Sequence, residues 1–285
     1  MVKIFDAAEV QPADRLDAYR AGISTTEVPW RIGATDLEKP FAGVLERWEL
    51  GPGIQLLGSI DSGTSYRRGD VELKVAAPGL MSLNLKLGSA GEIEIGRQQM
   101  MLRPGDLFLT DLTSFTSYAS HGSGTAQTFI VDYATLGLPV DMVRGAQAQL
   151  PASPVYAIGR SHMSSLSAAA EDLRVDSPSR SMLTTATLQL VIALITTAAG
   201  DGAAAREALH NSEMARVVAF VRQNLRDSEL SAASIAQANH MSVRRLYQLW
   251  KSQEKSLAEH ISRRDLREPG KIWRDPILHH RRSLR

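Results

Sequence analysis

The chain has 285 residues, 44% of them hydrophobic and 22% charged, and a net charge of only +1. This is a globular composition, and the length is enough for two domains. Cysteine is absent from the sequence, which excludes a disulfide framework and any thiolate metal site.

Residues 1–15 (MVKIFDAAEVQPADR) contain no apolar core of signal-peptide length and carry Asp6 and Asp14 early, so a soluble cytoplasmic protein is expected. Residues 40–135 read as β structure. Val71, Leu73 and Val75 alternate with polar residues, as do Met81, Leu83, Leu85 and Leu87; Glu92, Ile93, Glu94 and Ile95 continue the alternation, and Phe129 with Val131 closes the region. Turn signals divide it at Gly51–Pro52–Gly53, Asp61–Ser62–Gly63, Pro78–Gly79, Ser89–Ala90–Gly91 and Pro104–Gly105–Asp106. Short strands so closely spaced predict a sandwich or small barrel.

Catalytic signals are sparse in this region. His121 is its single histidine and lies in a loop-like run, whereas a metal site needs several ligands brought together. Asp70, Asp106 and Asp111 fall near strand ends with no base or nucleophile paired to them in the sequence. No Gly-x-Ser-x-Gly elbow and no glycine-rich phosphate loop occurs. The expectation is no enzyme, no cofactor and no metal. Trp30, Trp48, Tyr66, Arg67 and Arg68 fit a ligand site and a core-and-rim role equally, so no effector residue is assigned.

Residues 136–200 turn helical. Met163, Leu166, Ala170 and Leu173 mark one stripe of a helix ending near Asp176–Ser177–Pro178. The next helix, about 179–199, carries Leu183, Leu190, Val191, Leu194 and Ala198 on one stripe and Leu188, Ile192, Ile195 and Ala199 on another. Its Gln189 and five threonines suit a buried helix better than a membrane span. Two apolar stripes must both be covered, either within the monomer or by a second copy. Residues 201–211 then read as a linker, with residues 1–200 before it as one domain and 212–285 after it as another.

Residues 211–226 form an amphipathic helix through Met214, Val217, Val218, Val221 and Leu225. Ser231 and Ser242 are N-caps for helices over 232–240 and 243–254, with room between them for only a short turn. In the second helix Val243, Leu246, Leu249 and Trp250 should face inward, turning Arg244, Arg245, Tyr247, Gln248 and Lys251 outward. Residues 256–259 (SLAE) open a further helix. Residues 212–285 hold 15 Lys and Arg against 8 Asp and Glu, a net of +7 in a chain that is +1 overall, so residues 1–211 carry −6. An acidic globular part joined to a polyanion-binding part has this asymmetry. Two readings fit the helix pair: a solvated basic face, or a helix-turn-helix presenting side chains to the DNA major groove.

Three pieces in order, the first helix ending NLRDSELS, the run IAQANHMSVRRLYQLW and the following SLAEHISRRDL, resemble the C-terminal region of AraC/XylS-type transcriptional regulators. The resemblance implies an α+β protein: an N-terminal cupin-like β-sandwich or barrel with dimerisation helices, then an all-α helix-turn-helix region. Residues 96–97 and 102–107 (LRPGDL) resemble the strand-turn-strand of the cupin-like sensory domains of such regulators. Carried over by position, Arg244, Tyr247 and Gln248 would face bases, Arg245 and Lys251 would meet phosphates, and Ser242 belongs to the same DNA-binding surface. The implied function is sequence-specific DNA binding controlled by a small-molecule effector. The partners are DNA, that effector and a second copy of the chain, with RNA polymerase a further candidate and no membrane. A sensing and dimerising decoy that no longer binds operator DNA, and a cupin-type enzyme, are the rival readings. Two departures stand out. Glu268–Pro269–Gly270 falls where the resemblance expects a continuous linker helix, and the sequence ends at Arg285 where a second helix-turn-helix should start, so most of that second unit is expected to be missing.

Overall fold

The computed structural model describes residues 2–25, 28–75, 79–96, 98–170 and 178–200, and between 213 and 257 a discontinuous set that includes 230–239 and 241–251. The chain divides into two compact units, Met1–Arg216 and Val217–Arg285.

The first unit enters through β1 (Val2–Asp6) and α1 (Arg15–Ser24). It continues through β2 (Arg31–Ala34), β3 (Gly43–Gly51), β4 (Ile54–Asp61), β5 (Thr64–Arg68), α2 (Asp70–Val75), β6 (Leu80–Lys86) and β7 (Gly91–Ile95). The remaining strands are β8 (Gln98–Leu102), β9 (Leu107–Asp111), β10 (Thr116–Ser120) and β11 (Gly124–Asp132). Helices α3 (Tyr133–Leu136), α4 (Val140–Gln147), α5 (Tyr156–Ala170) and α6 (Pro178–Ala198) follow.

The strands build a sandwich of two antiparallel sheets. One runs β1-β3-β4-β11-β6-β9 and the other β2-β5-β10-β7-β8. The predicted turns at 51–53, 61–63, 89–91 and 104–106 fall between consecutive strands, the first within one sheet and the other three crossing between sheets, and Gly53 (φ +70°) and Gly105 (φ +92°) take the left-handed conformation that suits glycine there. Two strands, β1 and β2, precede the expected β region. β1 closes the edge of the first sheet beside β3, through pairs such as Lys3 with Glu46, and a run as short as Arg31–Ala34 has too little alternation to stand out.

Residues 70–75 correct an expected strand. They form α2, because the Glu72 carboxylate accepts the Gly69 amide at 3.0 Å and the Leu73 amide reaches the Gly69 carbonyl, which closes a helical turn. The alternating valines gain no buried face: Val71 is 61% and Val75 is 73% exposed.

The first sheet is covered on both sides. Its outer face (Leu56, Met81, Leu83, Leu85, Leu109, Phe129, Val131) forms one buried cluster with Val143 and Ala146 of α4, Met163 and Leu166 of α5, and Leu188, Val191, Ile192 and Ile195 of α6. Helix α6 packs on α4, α5 and β3. Both of its apolar stripes are therefore largely consumed inside the monomer. Leu188, Val191, Ile192, Leu194, Ile195 and Ala198 are buried, and Leu190 is half-buried. By length and composition alone α6 could cross a membrane, yet half of its apolar window is buried in the protein. Where α5 crosses it, Gly159 allows close approach: a Cβ there would lie 2.5 Å from Leu194 Cδ1. Two bonds pin the crossing, Ser153 Oγ to Thr197 Oγ1 and His162 Nε2 to Thr187 Oγ1, each 2.7 Å.

In the second unit, α7 (Ala232–Ala238) and α8 (Val243–Trp250) are separated by a turn and packed on each other. The expected caps form: Ser231 Oγ accepts the Ser234 amide and Ser242 Oγ accepts the Arg245 amide, each at 3.1 Å. Ile235, Ala236, Leu246, Leu249 and Trp250 are buried. Val243 departs from the expectation at 40% exposed, while Leu246, Leu249 and Trp250 of the same stripe are buried. Along the preceding amphipathic segment Met214, Val217 and Val221 are buried, while Val218 and Leu225 are half-buried. The expected linker at 201–211, residues 252–256, the helix opening at 256–259 and the Pro269–Gly270 break lie outside the described residues, apart from buried Leu257.

Candidate functional site

Strand β6 explains how a polar pocket arises inside an apolar sandwich. Its sequence, LMSLNLK, alternates. Met81, Leu83 and Leu85 join the helix-covered core, so Ser82, Asn84 and Lys86 must point the other way, between the sheets. All six are buried. Ser82, Asn84 and Lys86 line a cavity of about 130 Å³ together with Ser59, Thr110 and Thr128 of the same sheet and Tyr66, Ile93, Thr116 and Tyr118 of the facing sheet. Trp30, Phe108, Val28, Leu57 and Leu112 supply apolar wall.

The charged member is Lys86, only 1% exposed. Its Nζ donates to Ser120 Oγ at 3.3 Å and stands 5.5 Å from the centre of the Tyr118 ring. Burial pulls the ammonium's pKa down, and the charge of Asp61 pulls it back up. Asp61 makes no ion pair with Lys86 and lies outside the lining. Its carboxylate accepts the Gly63 amide at 2.9 Å, and burial raises its pKa. Asn84 donates to Ser82 Oγ at 3.0 Å, which fixes the amide across the wall. The phenols of Tyr66 and Tyr19 share a 2.6 Å hydrogen bond, linking the cavity to α1. Burial pushes Tyr66 far above the usual phenol range and Tyr118 up to about 12, so both phenols remain protonated donors at neutral pH. The Thr116 hydroxyl is buried without a hydrogen-bond partner.

Of the residues that fitted a site and a core role equally, Trp30 and Tyr66 line the cavity. Trp48 packs in the helix-covered core, Arg67 is exposed over the Phe115 ring, and Arg68 is buried and donates to the Pro29 carbonyl at 2.8 Å. Sequence reasoning missed Ser59, Ser82, Asn84, Lys86, Thr110 and Tyr118. The signal was present in β6, whose polar alternates end in a lysine. Among the described residues no cluster of three or more His, Asp or Glu is placed to hold a metal, and His121 is exposed. Asp106 accepts the Arg103 amide at 2.8 Å within its turn, and Asp111 is bound into a structural network.

The second unit carries a different surface. Ser242, Arg244, Arg245, Tyr247, Gln248 and Lys251 are all exposed along α8 and its end, opposite buried Leu246, Leu249 and Trp250.

Residues 19–196, which contain the cavity, match the family model of the AraC-binding-like domain. The chain belongs to this AraC-binding-like family. Its fold is that of a solved structure, the AraC-like transcriptional activator CuxR. The likeness covers 89% of this chain and 90% of that one at a TM-score of 0.53, with 16% identity. The cupin domain of Schizosaccharomyces pombe Cnp3 (7% identity, 32% of this chain and 64% of that chain, TM-score 0.27) and ectoine synthase from P. lautus (14%, 32% and 64%, TM-score 0.25) are slighter likenesses. No curated protein matches. The AraC-binding-like domain here is a cupin-like sandwich whose polar interior is set by alternation in β6.

Proposed function

We propose that this protein is a one-component transcription regulator, without catalytic activity. In this reading a small molecule occupies the inter-sheet cavity and α7–α8 act as a helix-turn-helix. Arg244, Tyr247 and Gln248 face bases, while Ser242, Arg245 and Lys251 serve the backbone. The protein acts in the cytoplasm as a homodimer, with RNA polymerase a further candidate partner.

One observation carries the reading: a single chain holds a polar-lined AraC-binding-like sandwich and, in a separate basic segment, a capped helix pair with its cationic face outward. The route by which a ligand would be felt follows from β6. The strand that offers Ser82, Asn84 and Lys86 to the cavity offers Met81, Leu83 and Leu85 to α4–α6, so a shift on one face is transmitted directly to packed helices on the other. The ligand acts only as far as it binds one arrangement better than the other. For dimerisation, the row of α6 left over after internal packing is Met182 and Ala186, both exposed, with half-buried Gln189 and Ala193.

The test is binding of the full chain to a selected operator and to random DNA at several salt concentrations. Regulation requires preference for the operator that survives at physiological salt. A steep salt dependence with equal affinity for all sequences would leave only phosphate attraction and favour the decoy.

A further inference from the structure

We infer that the cavity takes a small monocarboxylate, its charged end on Lys86 Nζ and its flat or short apolar body against Trp30, Tyr66, Phe108 and Tyr118. This rests on the reading of the cavity as the ligand site and names the ligand's chemical class.

Charge is the first reason. A lysine is almost never fully buried unless paired, because removing an ammonium from water is costly. Lys86 is 1% exposed and inside the lining, yet its hydrogen bond is a long one, 3.3 Å to the neutral hydroxyl of Ser120, and no carboxylate lies within ion-pair distance among the described residues. The Tyr118 ring face meets the cation at 5.5 Å but cannot absorb three N–H donors. The site therefore holds donor capacity that an incoming anion would satisfy. Asp61, the acid nearest in effect, is engaged by the Gly63 amide and lies outside the lining, so it leaves room for a second negative charge at Nζ.

Size and shape are the second reason. About 130 Å³ is close to the ~150 Å³ of an engineered cavity that accommodates benzene. This suits one ring or a short chain, and excludes nucleotides and oligosaccharides. The walls match such a body: Phe108 and Tyr118 stack with ring centres 6.2 Å apart, while Trp30 and Tyr66 meet edge to face at 5.9 Å. A polyol would need hydrogen bonds along its whole length, and aromatic side chains dominate that part of the wall. The Thr116 hydroxyl, buried without a partner, would donate to the second carboxylate oxygen.

Titration calorimetry on the full chain, without DNA, tests the class directly with benzoate, phenylacetate and hexanoate against benzamide and D-glucose. At least one carboxylate should bind saturably with one site per chain, and benzoate should exceed its neutral isostere benzamide by roughly tenfold or more, the usual worth of a hydrogen bond to a charged group. Lys86→Met, which keeps the stem and removes the charge, should lose that preference. Equal binding of benzoate and benzamide, binding of D-glucose alone, or no carboxylate bound up to about 10 mM would each overturn the inference. The benzamide comparison needs no variant, so a misfolded Lys86→Met would not blur the result. Because DNA is absent, failure here leaves the regulator reading standing, and carboxylate binding by a chain that ignores operator DNA would refute that reading while keeping this one.

Discussion

Arg144 Nε donates to Asp111 Oδ2 at 2.6 Å, tying the exposed side of α4 to a carboxylate that is itself wholly buried at the end of β9. Tyr133 donates its phenol to the other oxygen at 3.0 Å, and the Thr113 amide and hydroxyl complete the shell. One carboxylate thus joins β9, α3 and α4. Burial pushes the Asp111 carboxyl up, but the bonds from Thr113, Arg144 and Tyr133 outweigh it and hold it below the usual carboxylate range.

Asp111→Ala is accordingly expected to cost ~1–3 kcal/mol, measured by urea unfolding, because it strands the part-buried Tyr133 and Thr113 donors while the half-exposed Arg144 returns to water. The pH dependence has a definite sign. A carboxylate with a lowered folded pKa contributes stability above its unfolded value, about 4, and loses it as pH falls through the folded value. Wild type should therefore lose stability in acid more steeply than Asp111→Asn, and parallel acid limbs would show that the network carries no charge term.

Gly159→Ala should destabilise, although the same change in an exposed helix interior stabilises by ~1 kcal/mol. The new Cβ would lie 2.5 Å from Leu194 Cδ1, and overpacking of this kind costs ~1–3 kcal/mol. Adding Leu194→Ala should cost less in the Gly159→Ala background than alone. Additive losses in the double-mutant cycle would place the strain elsewhere.

On α8, alanine at Arg244, Tyr247 or Gln248 should leave the fold intact, since all three side chains are exposed. Each should relax operator preference, by ~1–3 kcal/mol where a good base contact is lost. Lys251→Ala should weaken binding to all sequences alike and flatten the salt dependence. If operator discrimination survives in all three base-facing variants, α8 is not the recognition helix.

Assembly separates two rows of α6. Leu194→Glu should abolish folding, because this side chain is 1% exposed in the core beneath α5. Met182→Glu combined with Ala186→Glu should stay folded, as both positions are exposed, and sediment as a monomer while wild type sediments as a dimer. A monomeric wild type would remove the dimer from the proposed mechanism.

Local chemistry alone determined much of this protein. The hydroxyl caps at Ser231 and Ser242, the turns at 51–53, 61–63, 89–91 and 104–106, the strand alternation and the basic outward phase of α8 all follow from interactions within a few residues, and those can be read along a chain. The C-terminal motif and the cupin-like turn pointed to the right family for the same reason. The tertiary structure decided what depends on the opposite wall. Residues 70–75 alternate like a strand, yet they coil because Glu72 caps Gly69 and no sheet edge is there to receive them. The stripes of α6 look alike in sequence, and only the arrival of α4, α5 and β3 marked them as monomer core. Period-two alternation in β6 separates two faces without saying which is wet. Helices covering one face and a second sheet covering the other buried Ser82, Asn84 and Lys86 in a charged cavity.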